Sequence, residues 1–226
     1  MLHYMPGCDV RKNHPTEIEK LTAYMKNKGA VIDNCCRDEE PFIEKGDTIV
    51  CNCTMCDMIF REAYSDMEHR SLYNYVLEDG DFPWPNHNGE KVILQDCWRS
   101  RGDSQLHEDI RKCLERMNFT VIELDKNRAD SDYCGVWLYN DIPDVCVKLA
   151  PNTVGRIQEE HIKKTSESQQ KLLMKERVAY YNSICSNEDM PVLVYCNGCE
   201  RGLKMGGGKP MHIVELLAEL IELEIN

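Results

Sequence analysis

No stretch of the 226-residue sequence approaches the roughly 20 consecutive apolar residues that cross a bilayer, so a membrane span is not expected. No G-x-G-x-x-G opens a helix after a strand, and no GxxxxGK(S/T) occurs, so neither a dinucleotide site nor a phosphate loop is legible. The glycine run Gly206-Gly207-Gly208-Lys209 lacks that spacing and is followed by Pro210, which reads as a hinge or close-approach turn. Histidines are unpaired in sequence: His3, His14, His69, His87, His107 and His161 show no HxxxH spacing and read as surface or packing residues. Basic residues are outnumbered 27 to 39 by acidic ones, giving a formal net charge of −12. Such a field repels phosphate backbones and anionic lipid, so a nucleic-acid partner is not expected.

Cysteine, by contrast, is abundant at 13 residues. A chain of this length buries a sufficient core without covalent staples, so the thiols need another explanation: metal, redox chemistry or disulfides. A disulfide framework is disfavoured because the count is odd and several cysteines are adjacent or two apart. The chain also opens MLHYMPGCDV, without an apolar signal run, and the expectation is a reduced, cytoplasmic protein.

Short β-type runs recur and deliver cysteine where they stop. LHYM leads to Pro6-Gly7-Cys8, AVID to Cys35-Cys36, TIVC to Cys53 and Cys56, VILQ to Asp96-Cys97, and PVLVY to Cys196 and Cys199. Amphipathic helix-length stretches run over residues 15–28, 104–117, 153–184 and, at the end, 211–223. The alternation predicts an α/β protein made of two pseudo-repeated units of parallel strands with flanking helices, cysteines at the strand C-terminal ends. The Gly-, Pro- and Asn-rich stretch from Glu78 to Lys91 separates the halves, giving repeats over residues 1–85 and 86–226. Each repeat runs strand, lone cysteine (Cys8, Cys97), helix, second cysteine site (Cys35-Cys36, Cys134), then a strand ending in CxxC. In open parallel sheets, ligands collect beyond the carboxyl ends of strands, where these thiols fall.

A CxxC pair at a helix start presents two thiolates to one ion, and the free N–H groups of the first turn stabilise their charge. Cys8, the Cys35-Cys36 pair and the Cys53/Cys56 pair give the first half five thiols at strand ends, one more than a tetrahedral zinc site or a simple cubane uses. Cys113, Cys146 and Cys185 fall in helical or apolar stretches and read as core residues. Cys51 shares a strand face with Cys53 and is a candidate spare ligand.

The pattern resembles the CCG family of cysteine-rich domains, known from heterodisulfide reductase and from related succinate, lactate and glycolate oxidoreductases. The resemblance rests on Tyr4-Met5-Pro6-Gly7-Cys8, Cys35-Cys36, Cys53 to Cys56, Asp96-Cys97, Cys134-Gly135 and Cys196 to Cys199, with Gly208-Lys209-Pro210 and the terminal helix following. It implies a non-cubane 4Fe-4S cluster on Cys8, Cys35, Cys36, Cys53 and Cys56. It also implies a second centre on Cys97, Cys134, Cys196 and Cys199, where Tyr133 replaces a fifth thiol and the occupant is either a 4Fe-4S cluster or zinc. The implied activity is that of an iron–sulfur oxidoreductase subunit exchanging electrons with a disulfide, thiol or similar small substrate. An electron-donor protein, flavoprotein or ferredoxin-like, would serve it. A non-catalytic zinc- or cluster-binding module is the alternative. Arg37 stands where the motif has glycine, and Trp98-Arg99-Ser100-Arg101 follows Cys97 where relatives commonly place histidine.

Basic residues flank the second site: Arg99, Arg101, Arg201, Lys204 and Lys209. They read as holding an anionic substrate, as compensating the charge of thiolate-bound metal, or as a solvated surface. His212, after the glycine run, is open to three roles: ligand, proton donor or cap.

Overall fold

Runs such as Val92-Ile93-Leu94 and Val192-Leu193-Val194 are apolar at consecutive positions, the signature of strands covered on both faces. The computed structural model describes residues 1–33, 43–131, 142–160, 166–185 and 190–223 of the chain. They form an α/β protein with two four-stranded parallel sheets, each flanked by helices. In the first sheet are β1 (Leu2–Met5), β2 (Val31–Ile32), β3 (Thr48–Cys51) and β4 (Glu68–Ser71), in spatial order β2-β1-β3-β4. The second contains β5 (Lys91–Gln95), β6 (Thr120–Glu123), β7 (Val192–Val194) and β8 (Met211–His212), in the order β6-β5-β7-β8. Reading β1 as β5, β2 as β6, β3 as β7 and β4 as β8 makes the two orders identical. The pseudo-repeat is therefore a property of the topology, and the register agrees: Met5 pairs with Cys51, and Gln95 with Val194, each pair closing its strands.

The helices follow local rules. Helix α1 (Cys8–Asn13) is followed by α2 (Pro15–Asn27), which starts with proline at its first turn and buries Ile18, Leu21 and Met25 along one face. Next come α3 (Thr54–Ala63) and α4 (Leu72–Glu78). After β5 a single 3-10 turn (Trp98–Ser100) leads to α5 (Ser104–Arg116), whose N-cap Asp103 accepts the Leu106 N–H at 2.9 Å. It buries Leu106, Ile110, Cys113 and Leu114. Then follow α6 (Asp144–Leu149), α7 (Pro151–Glu160), α8 (Glu167–Ile184), α9 (Asn197–Met205) and α10 (Ile213–Leu217).

The chain divides into two compact units. One comprises residues 1–85, 142–156 and 214–226; the other comprises 86–141 and 157–213. The first continuous stretch thus ends at Pro85, and two later segments, placed in the second repeat by the sequence reading, pack with the first unit. Glu62 of α3 explains part of this. Its carboxylate accepts the Asn152 and Thr153 N–H groups at 3.0 and 2.7 Å, an anion set on the open end of α7. Lys20 donates to the Ala218 carbonyl at 3.1 Å.

Two expected helices differ. The stretch 153–184 is described as α7 and α8 around residues 161–165, which lie outside the described set. The terminal stretch begins as strand, because Met211 and His212 pair with Leu193 and Val194, and the helix proper is the five residues of α10. His212 is accordingly a fully buried strand residue, not a helix opener. The glycine run makes the expected close approach: a Cβ on Gly206 would collide with the Met174 carbonyl of α8, and one on Gly208 would lie 2.9 Å from Val178. No helix among the described residues is long and apolar enough to cross a membrane.

Gly7 carries the tightest demand. Its φ of 81° suits glycine, and a Cβ there would sit 2.7 Å from the Cβ of Cys53. Gly7→Ala is expected to destabilise the protein by about 2–4 kcal/mol, combining left-handed strain with overpacking. Equilibrium urea denaturation checks this, and a loss below about 1 kcal/mol would mean the β1–α1 loop simply shifts aside.

Candidate metal centre

Strand order fixes where each unit offers a site. From β1 the chain proceeds to β2 on one side, whereas β3 lies on the other, so the crossovers diverge and a crevice opens beyond the carboxyl ends of β1 and β3. The same holds for β5 and β7. Cys8 begins α1 directly after β1; Cys53 is the N-cap of α3 after β3, with Cys56 in the first turn. In the second unit Cys97 precedes the 3-10 turn after β5, and Cys196 caps α9 after β7, with Cys199 in the first turn. The lone cysteine and the CxxC pair thus occupy the same switch point in both units.

In the second unit the thiols converge. The Sγ atoms of Cys97, Cys196 and Cys199 all lie within 4.8 Å of one another, and the residues are 0%, 4% and 1% exposed. Thiolates around one tetrahedral ion at about 2.3 Å stand ~3.8 Å apart, so the group fits a metal. Among the described residues it is the one all-cysteine group of this tightness. Cys134, the expected fourth donor, lies outside the described residues, as do Cys35 and Cys36 of the first unit. There, Cys56 is buried and Cys8 and Cys53 are partly exposed. Gly7 holds the β1–α1 loop against Cys53. Cys113, Cys146 and Cys185 are buried. Burial raises the Cys113 thiol far above its ordinary value, with Asp109 adding to the effect, so it stays protonated as core.

Charge compensation for the triad is local. Arg99, 6% exposed, donates from Nη1 toward the Cys196 sulfur at 4.0 Å, and the first turn of α9 adds its N–H groups. This favours the compensation role for Arg99. Arg101 is exposed and donates to the Ser131 carbonyl, while Lys204 pairs with Glu200 at 2.5 Å. An acid after the second cysteine paired four residues on with a base recurs in the first unit, where Arg61 holds Asp57 at 2.7 Å.

A polar clamp fixes Cys97. Its N–H donates to the Tyr195 hydroxyl at 3.0 Å, and the Ser100 hydroxyl donates to its carbonyl at 2.8 Å. Tyr195 donates in turn to Asp96 at 3.0 Å, and Ser100 lies 2.8 Å from the Tyr195 oxygen and 3.1 Å from His107 Nε2. Burial, then the Asp96 charge, raise the Tyr195 hydroxyl well above its usual value, so it remains a donor. Asp96 is wholly buried, yet Arg111 holds it at 2.7 Å and the Arg128 N–H at 2.8 Å. Burial alone would raise the Asp96 carboxyl; the Arg111 hydrogen bonds and charge outweigh it and the net shift is downward. Sequence reasoning marked Asp96 only as a neighbour of Cys97 and missed Tyr195, Ser100 and Arg111, since no local spacing announces a contact between residues 98 apart.

Tyr195→Phe deprives the Cys97 N–H of its hydroxyl acceptor and takes the 3.0 Å donor from Asp96 Oδ1, which keeps Arg111 Nη1 at 3.4 Å, and should cost about 1–3 kcal/mol and about 10–100-fold in metal affinity. Denaturation and chelator competition read the two effects. For Asp96, the folded-state pKa lies below the unfolded 3.8, so its stabilisation is complete well above that value and fades as pH falls through the folded one. The stability gap between the metal-free wild type and Asp96→Asn should therefore be flat near neutrality and close below about pH 4 in acid titration. A gap that widened in acid would reverse the assignment.

No protein-family model matches the chain, and neither a curated protein nor a solved structure matches it.

Proposed function

We propose that this chain is an iron–sulfur oxidoreductase subunit of the CCG type, exchanging electrons with a thiol, disulfide or similar small substrate. The observation that carries the reading is the recurrence of a lone cysteine and a helix-capping CxxC pair at the same switch point of two sheets with the same strand order. The first centre would be a non-cubane 4Fe-4S cluster held by Cys8, Cys35, Cys36, Cys53 and Cys56. The second would be held by Cys97, Cys134, Cys196 and Cys199. An iron–sulfur group supplies reversible one-electron capacity. The residues of the chain bind and insulate it: Arg99 offsets thiolate charge, and Tyr195, Asp96 and Ser100 hold Cys97 in place.

Exposure divides the labour. Cys8 and Cys53 are partly accessible, whereas the second triad is buried, so a small substrate is assigned to the first centre. Electrons come from a flavoprotein or ferredoxin-like donor, a separate protein or domain, because this sequence has no dinucleotide fingerprint and no compact ferredoxin run of cysteines.

A second reading applies to the second unit alone. Three buried Sγ atoms within 4.8 Å suit a single ion, which favours structural zinc there. Iron, acid-labile sulfide and zinc per chain, measured after purification without oxygen, separate these. About eight iron with matching sulfide supports two clusters, and about four iron with one zinc supports a cluster in the first unit and zinc in the second. Cys53→Ser should then remove iron while leaving the second centre, and Cys196→Ser the reverse. Zinc alone, or no metal after reconstitution with iron and sulfide, overturns the electron-transfer reading.

A further inference from the structure

Beside the thiols, buried side chains lack the partners that burial demands. Asn52, between Cys51 and Cys53, is 2% exposed, and neither its Oδ1 nor its Nδ2 makes a hydrogen bond. Asn197, inside the Cys196–Cys199 turn, is 5% exposed with the same two atoms unsatisfied. Thr54 Oγ1, one residue beyond Cys53, is buried and unsatisfied as well. More than about 90% of buried polar groups in native proteins are bonded, and each orphan costs about 1–3 kcal/mol. Single orphaned atoms occur elsewhere, Tyr4 Oη and Asp109 Oδ2 among them, but Asn52 and Asn197 leave both amide atoms unsatisfied. These sit at the same end of both sheets, within one residue of the first cysteine of each CxxC pair.

A primary amide offers two N–H donors, and thiolate or sulfide sulfur accepts them; three Sγ atoms gather at the second switch point, and Cys53 follows Asn52 at the first. We infer that Asn52 and Asn197 are ligand-contacting residues, whose side-chain N–H groups donate to the sulfur atoms of the bound centre and raise its reduction potential. The inference rests on a thiolate-bound centre at each switch point, and it adds residues that no cysteine spacing indicates. Hydrogen bonds to sulfur spread the extra negative charge of the reduced state, so donors favour reduction. Their partners are missing until the centre is loaded, so the empty fold bears a penalty that loading removes.

Two substitutions at each position test this, in the full chain, empty and reconstituted with iron and sulfide. Asn197→Leu and Asn52→Leu keep the branched shape and delete the polar atoms. The metal-free variants should melt higher than the metal-free wild type, because an orphan has been removed. The loaded variants should lose metal to a chelator about tenfold faster or more, with a lower midpoint potential for any redox-active centre. Asn197→Asp and Asn52→Asp keep the shape, replace the N–H donors by a second acceptor, and should release metal fastest. Lower melting of all the metal-free variants would show that both amides serve the fold itself and overturns the inference. Unchanged metal retention in loaded variants overturns it too while leaving the function reading intact. A wild-type chain that binds no metal overturns both.

Discussion

Each unit depends on the pairing of two strands that are not consecutive in sequence, β1 with β3 and β5 with β7. Because the pairs are parallel, both strands end at the same edge of the sheet. Because the crossovers leave in opposite directions, a crevice opens beyond the strand ends. The helix that follows the second strand of each pair turns its open N–H groups to that space, where they favour thiolates over thiols. The site is thus a by-product of the fold's handedness, and cysteine had only to be placed at strand ends for two thiol-bearing loops to meet.

The two units solve the same docking problem with different chemistry. After β1 the loop comes close to Cys53 by giving up a side chain at Gly7. After β5 the corresponding loop is one residue shorter before its cysteine, and it keeps its place through Asp96, Tyr195 and Ser100. The first solution is steric and leaves thiols near solvent; the second is electrostatic and seals them in. Arg111 shows how far the second arrangement extends, since it bridges Asp96 to Glu123 and so ties the cysteine loop to the edge strand β6.

Legibility in the sequence followed burial. The central strands β1, β3, β5 and β7 are covered on both faces and read as apolar runs, so they and the cysteines after them were apparent. The strands that escaped notice, β4, β6 and β8, lie at the edges. Glu68-His69-Arg70-Ser71 is polar and partly exposed, and β8 is two residues long, so neither carries a hydrophobic signal. The helices with a start signal and a clear apolar stripe, α2 with its first-turn proline and α5 with its Asp103 cap, were legible nearly to the residue. Tyr195 was hidden by its own apolar run PVLVY, where its ring looks like core; only the strand pairing shows that its hydroxyl reaches the Cys97 amide. Nothing in the sequence singles out Asn52 or Asn197, because an unsatisfied amide is a property of the packed interior.

The interleaving of the chain bears on how the protein is made. Residues 142–156 and 214–226 belong to the unit that begins at Met1. The ribosome therefore delivers the whole of the second unit's sheet, through β8, before it delivers the last segment of the first. That first unit must wait, with part of its core open, while more than a hundred further residues emerge. Folding by contacts so distant in sequence is slow, and incomplete intermediates expose apolar surface. The nascent first unit, rich in thiols and lacking its closing helix, is the stage at which this chain is most exposed to aggregation and to mispairing of its cysteines.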